Sequence, residues 1–297
     1  MSGKNSIVVG IDGSKSADLA LVWAASTAAS RGFGLTVVTA VDIPHHLGDE
    51  QVDEFRAVAR SRLAAAEALA RETAHGASPT TDGTSPTTAG ITITAEAHDG
   101  KVTDVLLALS EKVSMVVVGA SGLGESDSGL LGSTSIGLTA HASSPVAVVR
   151  GRSIDGVPPV LGPVVVGVDG SEINQAAVAV AFDEASHRGA PLTAVHVWSD
   201  VSLAHISGVP SEWEDIAAAE EAVLAESLAG WQERYPEVDV RRVVAQDRPV
   251  RVLGQLSEQA SLIVVGTRGR GGFRGMLLGS TSYALINTAD CPVLVVR

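Results

Sequence analysis

The sequence predicts an α/β protein with two tandem, doubly wound parallel sheets of five strands each, a Rossmann-like architecture. Internal repetition is the first reason: SIVVGIDGS at 6–14 returns as PVVVGVDGS at 163–171, and MVVVGASG at 115–122 returns as LIVVGTRG at 262–269. Alternation is the second, because short apolar runs are separated by stretches with helical spacing. Composition is the third. Hydrophobic residues make up 45% of the chain but aromatic residues only 3%, which suits Val-rich strands under Ala-rich helices.

The repeat also predicts the domain boundaries. LLGSTS occurs at 130–135 and again at 277–282, and the two copies end on SPVAVVR and CPVLVVR. The offset between the copies falls from 157 residues early to 147 residues late, and a Thr/Ser/Gly/Pro-rich surface loop at 75–90 accounts for the difference. We therefore predict a first domain at 1–152, a linker at 153–162 and a second domain at 163–297.

The elements of the second copy follow one another in a regular order. Its five apolar runs are VVVGV, LTAVHVW, VRRVVA, LIVVG and PVLVVR. Among the helical stretches between them, 212–234 is rich in Ala, Glu and Leu, with apolar residues three and four positions apart. Strands that alternate with helices form a parallel sheet with right-handed crossovers.

Charge and cysteine content narrow the partners and the compartment. The 34 acidic and 21 basic residues give a net charge of −13, which disfavours nucleic acid and anionic membranes as partners. The single cysteine, Cys291, excludes an intrachain disulfide and favours a reducing compartment. The sequence shows neither a signal-peptide pattern nor an apolar run of about 18 residues, so we expect a cytoplasmic protein without a membrane span.

Two features of each copy fall where a doubly wound sheet binds ligands, at the carboxyl ends of its strands. The first is the aspartate that follows the first strand, Asp12 or Asp169. The second is a glycine-rich loop after the fourth strand, from Gly119 to Ser133 and from Gly266 to Ser280.

Each loop has the form Gly-x2-Gly-x9-Gly-Ser. Glycines let backbone N–H groups approach phosphate oxygens, and the serine opens a helix whose N-terminal N–H groups and dipole favour an anion. A carboxylate at the end of the first strand is placed to accept hydrogen bonds from a ribose or an adenine. The alternative is purely structural, because strand-to-helix glycines also make tight turns and Asp-Gly-Ser is an ordinary turn and N-cap pattern.

This combination resembles the universal stress protein family in its tandem-domain form. The resemblance covers nearly the whole chain, and Gly-x2-Gly-x9-Gly-[Ser/Thr], the ATP-binding signature of that family, is intact at 119–133 and 266–280. It implies the strand order 3-2-1-4-5, fifth strands that pair between the domains, and ATP, with Mg²⁺, as the ligand. It also implies Ala40 and Val197, at the ends of the second strands, as the wall against adenine.

The nucleotide-binding residues predicted on this basis form one set in each copy. In the first copy they are Gly10, Asp12, Ala40, Gly119, Gly122, Gly124, Gly132, Ser133 and Thr134. In the second copy they are Gly167, Asp169, Val197, Gly266, Thr267, Arg268, Gly269, Arg270, Gly271, Gly272, Gly279, Ser280 and Thr281.

We predict a regulatory or sensing role in the stress response, a homodimer and a regulatory protein partner of unknown identity. No nucleophile with a base and no metal-ligand spacing stands out, so we expect no catalytic residues and no resident metal. The alternative is an ATP-using enzyme of the same fold, with adenylating or slow ATPase activity. Adenylating relatives carry Ser-Gly-Gly-x-Asp-Ser after the first strand, where this chain has DGSKS and DGSEI.

The two predicted sites differ in charge. The loop at 266–280 carries Arg268, Arg270 and Arg274 without an acid, whereas the loop at 119–133 carries Glu125 and Asp127 without a base. Because a triphosphate is strongly anionic, we expect the second site to bind it more tightly, by roughly 2–4 kcal/mol at partly screened distances.

Overall fold

In the computed structural model, each half of the chain contains five parallel strands in the same order. The described residues are 5–44, 46, 48–76, 90–122, 131–152, 158–198, 212–270 and 277–297, with the backbone alone described at 212–215. The chain divides into two units, Met1–Arg150 and Gly151–Arg297, which we name the first and the second unit. The bounds predicted for the domains and for the linker at 153–162 stay a prediction.

The first unit is a five-stranded sheet with helices between its strands. Its strands are β1 (Ser6–Gly10), β2 (Gly34–Val41), β3 (Ile93–Asp99), β4 (Met115–Gly119) and β5 (Val146–Val149). Its helices are α1 (Lys15–Arg31), α2 (Asp49–Gly76), α3 (Val102–Ser110) and α4 (Ser133–His141). The strands are parallel and lie in the order β3-β2-β1-β4-β5. The predicted order 3-2-1-4-5 is therefore confirmed.

The second unit repeats this topology. Its strands are β6 (Val164–Val168), β7 (Leu192–Trp198), β8 (Val240–Gln246), β9 (Leu262–Gly266) and β10 (Val293–Val296). Its helices are α5 (Gln175–Arg188), α6 (Glu212–Ser227), α7 (Trp231–Arg234), α8 (Pro249–Ser257) and α9 (Ser280–Thr288). Its parallel strands lie in the order β8-β7-β6-β9-β10, which is again 3-2-1-4-5 within the unit.

The central strands owe their position to their composition. Ile7, Val8 and Val9 of β1 are at most 1% exposed, and Val164 and Val165 of β6 are fully buried. Such continuous β-branched runs suit a parallel sheet that helices cover on both faces. Helix α1 contacts β1 and β4. It does so with a buried face built largely of small side chains, among them Ala17, Ala20, Ala24, Ala25 and Ala28.

The helical region after the second strand differs between the units. In the first unit α2 is one helix of 28 residues. In the second unit α6 ends at Ser227 and α7 begins at Trp231, because Gly230 adopts a left-handed conformation with φ +78°. Trp231 and Tyr235 stack on the buried ring of Phe182, with centroids 6.0 and 5.8 Å away. The prediction of one continuous helical stretch at 212–234 is therefore wrong at 228–230.

The sheet topology places the candidate sites. In each unit the strand order reverses between the first and the fourth strand, so their carboxyl ends border a crevice. The turns that follow β1 and β6 and the loops that follow β4 and β9 all lie at this edge. Within the described part of the chain, no helix is both long and apolar enough to cross a membrane.

Candidate functional site

Asp169 ties together the two loops that follow β6 and β9. Its Oδ1 accepts hydrogen bonds from the N–H (2.9 Å) and the hydroxyl (2.7 Å) of Ser171. Its Oδ2 accepts the backbone N–H of Arg270 at 2.9 Å. The strand-end aspartate is therefore a structural anchor of the glycine-rich loop. A carboxylate offers about four lone-pair sites, so Asp169 keeps room for a further donor.

The second glycine of each motif lies against that aspartate. A Cβ on Gly122 would lie 2.9 Å from Asp12 Oδ2, and a Cβ on Gly269 would lie 2.8 Å from Asp169 Oδ2. Asp12 also accepts the N–H of Ser14 at 2.9 Å, as Asp169 does from Ser171. Glycine is required at both positions because the backbone itself occupies the space beside the carboxylate.

The first glycine of each motif is held by an equivalent contact. The hydroxyl of Ser135 donates to the carbonyl of Gly119 at 2.8 Å, and that of Ser282 donates to Gly266 at 2.6 Å. A Cβ on Gly119 would lie 2.7 Å from the carbonyl oxygen of Ser16. The chain therefore leaves each fourth strand pressed against neighbouring backbone.

The third glycine of each motif closes the loop and opens a helix. The N–H of Gly132 donates to Ala120 at 2.8 Å, and that of Gly279 donates to Thr267 at 2.7 Å. Both glycines are the N-caps of their helices, α4 and α9, and neither provides a side-chain cap or is followed by an acidic first turn. The first N–H groups of a helix lack intrahelical partners and carry its positive dipole end, so both helix starts suit an anion.

Hydroxyl groups surround both helix starts. Ser133 and Ser280 are exposed, whereas Thr134 and Thr281 are half-buried. In the second unit Arg268 is exposed next to this edge, and Thr267 is buried. The predicted residues Gly124, Gly271 and Gly272 lie outside the described residues.

Gly10 and Gly167 pack against helices. A Cβ on Gly10 would lie 2.8 Å from Leu106 Cδ1 of α3, and a Cβ on Gly167 would lie 3.3 Å from Leu253 Cδ1 of α8. The carbonyl of Gly167 also accepts the side-chain amide of Asn174 at 3.0 Å. Close packing between helix and sheet therefore explains why glycine occupies both positions.

A cavity of about 450 Å³ in the first unit opens at the carboxyl ends of β2 and β3. The predicted adenine wall, Ala40, is half-buried and immediately precedes Val41, a lining residue of this cavity. The lining residues are Val41, Asp42, Ile43, Pro44, Val52, Arg56, Asp99 and Gly100. Arg56 and Asp99 form an exposed ion pair of 2.9 Å across it. The sequence pattern did not reveal this cavity, because its walls come from three separate elements.

The second strands carry different side chains at equivalent places. Thr39 Oγ1 donates to the carbonyl of Ile11 at 3.0 Å. In the second unit His196 Nδ1 lies 2.7 Å from the carbonyl of Val168, and its Nε2 lies 2.5 Å from Glu220 Oε2 of α6. A carbonyl only accepts, so Nδ1 donates to Val168, while Nε2 is paired with the carboxyl group of Glu220. His196 is 3% exposed and is thus a packed, doubly bonded residue beside the site.

Arg62 of α2 is a residue that the sequence pattern missed. A Cβ on Gly13, next to Asp12, would lie 2.8 Å from Arg62 Nε. Since 49 positions separate the two residues, only the packing of α2 against the turn brings them together. The first unit therefore has a basic side chain at its site that comes from outside the glycine-rich loop, so a count of the loop charges omits it.

The described residues offer no other obvious chemistry. No group of three or more His, Cys, Asp or Glu residues among them could hold a metal ion. Burial raises the pKa of the Cys291 thiol to about 12, so this cysteine is not a thiolate at neutral pH.

Fold and loop geometry agree with the comparisons to known proteins. The family model described as "Universal stress protein family" matches residues 4–150 and again residues 161–297. The chain belongs to this family, and at that level it is a stress-response protein with two copies of the family domain.

Proteins named as universal stress proteins align with nearly the whole chain. A universal stress protein of Mycobacterium tuberculosis is 42% identical over 304 residues, covering 99% of this chain and 97% of the relative. Another from the same organism is 40% identical over 303 residues, covering 98% and 94%. Among solved structures, a universal stress protein from Archaeoglobus fulgidus aligns with a TM-score of 0.67 at 20% identity, covering 99% of this chain and 96% of that one. This last likeness concerns the fold.

Proposed function

We propose that the protein is an ATP-binding regulator of the stress response, with one nucleotide site in each unit. The observation that carries the proposal is the doubled loop, whose glycines bring uncapped helix starts to the same crevice as a strand-end aspartate. Family membership supports a role in stress, and the loop geometry supports an anionic ligand.

Each part of ATP would contact a different group of residues in the proposed site. The phosphates would accept hydrogen bonds from the N–H groups at the starts of α4 and α9 and from the serine and threonine hydroxyls there. Asp12 and Asp169 would accept a ribose hydroxyl with their remaining lone pairs. Adenine would lie against the ends of β2 and β7, at Ala40 and Val197. In the first unit the adjoining cavity of about 450 Å³ has room for a ring of that size.

Mg²⁺ would enter with the nucleotide and not as a resident ion. The described residues hold no three-carboxylate cluster, and Mg²⁺ commonly binds through substrate phosphates with one or two carboxylates and several waters. The ion would supply charge neutralisation for the phosphates.

Regulation suits the described residues better than catalysis. The thiol of Cys291 is buried and protonated, and both ring nitrogens of His196 are bonded within a packed environment. ATP occupancy would then act by changing the surface that a partner protein contacts. We further propose a cytoplasmic homodimer, as expected from the single cysteine and from the family resemblance.

Isothermal titration calorimetry of the purified chain with ATP and Mg²⁺ tests the proposal. We expect a dissociation constant in the micromolar range or tighter, or about −8 kcal/mol. Nucleotide carried through purification is removed first by denaturation and refolding or by extensive dialysis. A titration without heat, together with an unchanged melting temperature at millimolar ATP, overturns the proposed function.

A further inference from the structure

The two units place a guanidinium group at the same turn from different parts of the chain. The turn is Asp-Gly-Ser after the first strand, and its glycines, Gly13 and Gly170, have φ of +85° and +75°. In the first unit the guanidinium comes from α2, since a Cβ on Gly13 would lie 2.8 Å from Arg62 Nε and 3.5 Å from its Cζ.

In the second unit the guanidinium comes from the glycine-rich loop itself. A Cβ on Gly170 would meet Arg270 Nη2 and would lie 3.3 Å from Arg270 Cζ. The helix side of the turn is occupied by Val223 of α6, whose Cγ1 would lie 2.5 Å from the same Cβ. Arg270 is held there because its own N–H donates to Asp169.

An arginine and an aliphatic residue exchange positions between the two copies of the repeat. Arg62 and Val223 are equivalent, because each contacts the turn glycine and precedes a buried leucine of its helix, Leu63 or Leu224. The position after the second glycine of the motif shows the opposite distribution of residue types. It is Leu123 in the first copy and Arg270 in the second. In the sequence, each copy therefore has one arginine and one aliphatic residue at these two positions.

Among the residues that the structure describes, no ion pair joins Arg62 or Arg270 to a carboxylate. Arg62 is half-buried and Arg270 is exposed, so both can reach a ligand in the crevice. A planar guanidinium at the sheet edge that also carries the uncapped starts of α4 and α9 can bind a phosphate group through two parallel hydrogen bonds.

We propose that Arg62 and Arg270 are equivalent phosphate-binding residues of the two sites, supplied by a helix in the first unit and by the loop in the second. The inference rests on the proposed function and adds to it the residue that recognises the phosphate chain. It also assigns Val223 as the aliphatic counterpart of Arg62 in the second unit.

The test compares ATP with adenosine, which lacks phosphates. Each site is isolated by disabling the other with Gly269→Glu or Gly122→Glu. In these backgrounds Arg62→Gln and Arg270→Gln should each weaken ATP binding about tenfold, as expected for lost charge-assisted hydrogen bonds, and leave adenosine binding unchanged. Arg60→Gln, an exposed arginine two positions before Arg62 on the same helix, is the matched control and should change neither.

A relocation variant tests the equivalence itself. Arg270→Leu combined with Val223→Arg gives the second unit the arrangement of the first, and should recover most of the ATP affinity that Arg270→Leu alone loses. If the wild-type chain binds neither ATP nor adenosine, the proposed function fails and the inference fails with it. If the wild type binds ATP but the glutamine variants bind it equally well, or lose ATP and adenosine affinity alike, the inference alone is overturned.

Discussion

Thr39 and His196 occupy the same place in the two sheets, and each bonds to the carbonyl that precedes the strand-end aspartate. Around them the units differ. The first has Ala59, 2% exposed, on the helix facing this region, whereas the second has Glu220 bonded to the histidine. The hydrogen-bonded pair of His196 and Glu220 in the second unit thus corresponds to the smaller side chains of Thr39 and Ala59 in the first.

The glycine-rich loop does not vary in this way. A Cβ added to Gly122 or to Gly269 would lie within 2.9 Å of a carboxylate oxygen, so neither position has space for a side chain. The backbone of the loop is therefore fixed by close packing in both units. The side chains beside it, including the two arginines, change in compensating pairs.

The largest expected effect comes from breaking the loop. Gly269→Glu and Gly122→Glu place a side chain and a second negative charge against the aspartate and against the phosphates. We expect each to weaken ATP binding at its own site at least about a hundredfold, or ~3 kcal/mol, as measured by calorimetry.

Gly48→Glu is the control for the loop variants, because no heavy atom outside its immediate neighbours lies within 4 Å of the added Cβ. It makes the same charge change on the exposed surface and should leave ATP binding intact. Normal ATP affinity in both loop variants would contradict the assignment of the sites.

The histidine–glutamate pair gives the next largest effect. Glu220→Ala leaves the buried Nε2 of His196 without its partner, which should lower the free energy of unfolding by roughly 1–3 kcal/mol. The double variant His196→Thr with Glu220→Ala reproduces the side chains of the first unit and should recover part of the loss. Thermal unfolding of the three proteins measures this. Additive losses in the double variant would show that the two residues are independent.

At neutral pH Cys291 gives the smallest effect, because its contribution to stability changes only at high pH. Its counterpart in the first unit is Ser144, which precedes the fifth strand in the same way. Burial raises the pKa of the thiol to about 12, so the stabilisation is complete below the ordinary thiol pKa and is lost as pH rises towards 12. We expect the wild type to lose about 1 kcal/mol per pH unit over pH 9 to 12 relative to Cys291→Ser.

Urea unfolding of both proteins from pH 8 upward measures that difference. Parallel curves for the wild type and for Cys291→Ser would contradict a buried neutral thiol. In the folded wild type the thiol should also resist alkylation at pH 8, and it should react once the chain is unfolded.

Local sequence patterns predicted the fold class and the loop positions, because apolar runs and glycine spacing are local signals, whereas the strand order was implied by the family resemblance. The break at 228–230 was missed because one glycine, Gly230, adopts a left-handed conformation inside an otherwise helical pattern. The contacts of Arg62 with Gly13 and of His196 with Glu220 join residues 49 and 24 positions apart. Neither could be predicted without knowing where the helices pack.

Contacts between residues far apart in the sequence also affect the predicted difference in ATP affinity between the two sites. The loop charges alone favour tighter ATP binding at the second site, where Arg268 and Arg270 lie. Tighter binding at that site stays a prediction. Arg62 adds a base to the first site that the loop sequence does not contain. We therefore expect a smaller ratio of affinities than loop charges alone would give.

The number of ATP molecules bound per chain tests the central claim most directly, that both units form a nucleotide site. Native mass spectrometry of the nucleotide-free protein, titrated with ATP and Mg²⁺, should show two bound nucleotides per chain at saturation. It should show one in Gly122→Glu, one in Gly269→Glu and none in the double variant. A wild-type chain that stops at one nucleotide, or a single variant that still binds two, contradicts the account.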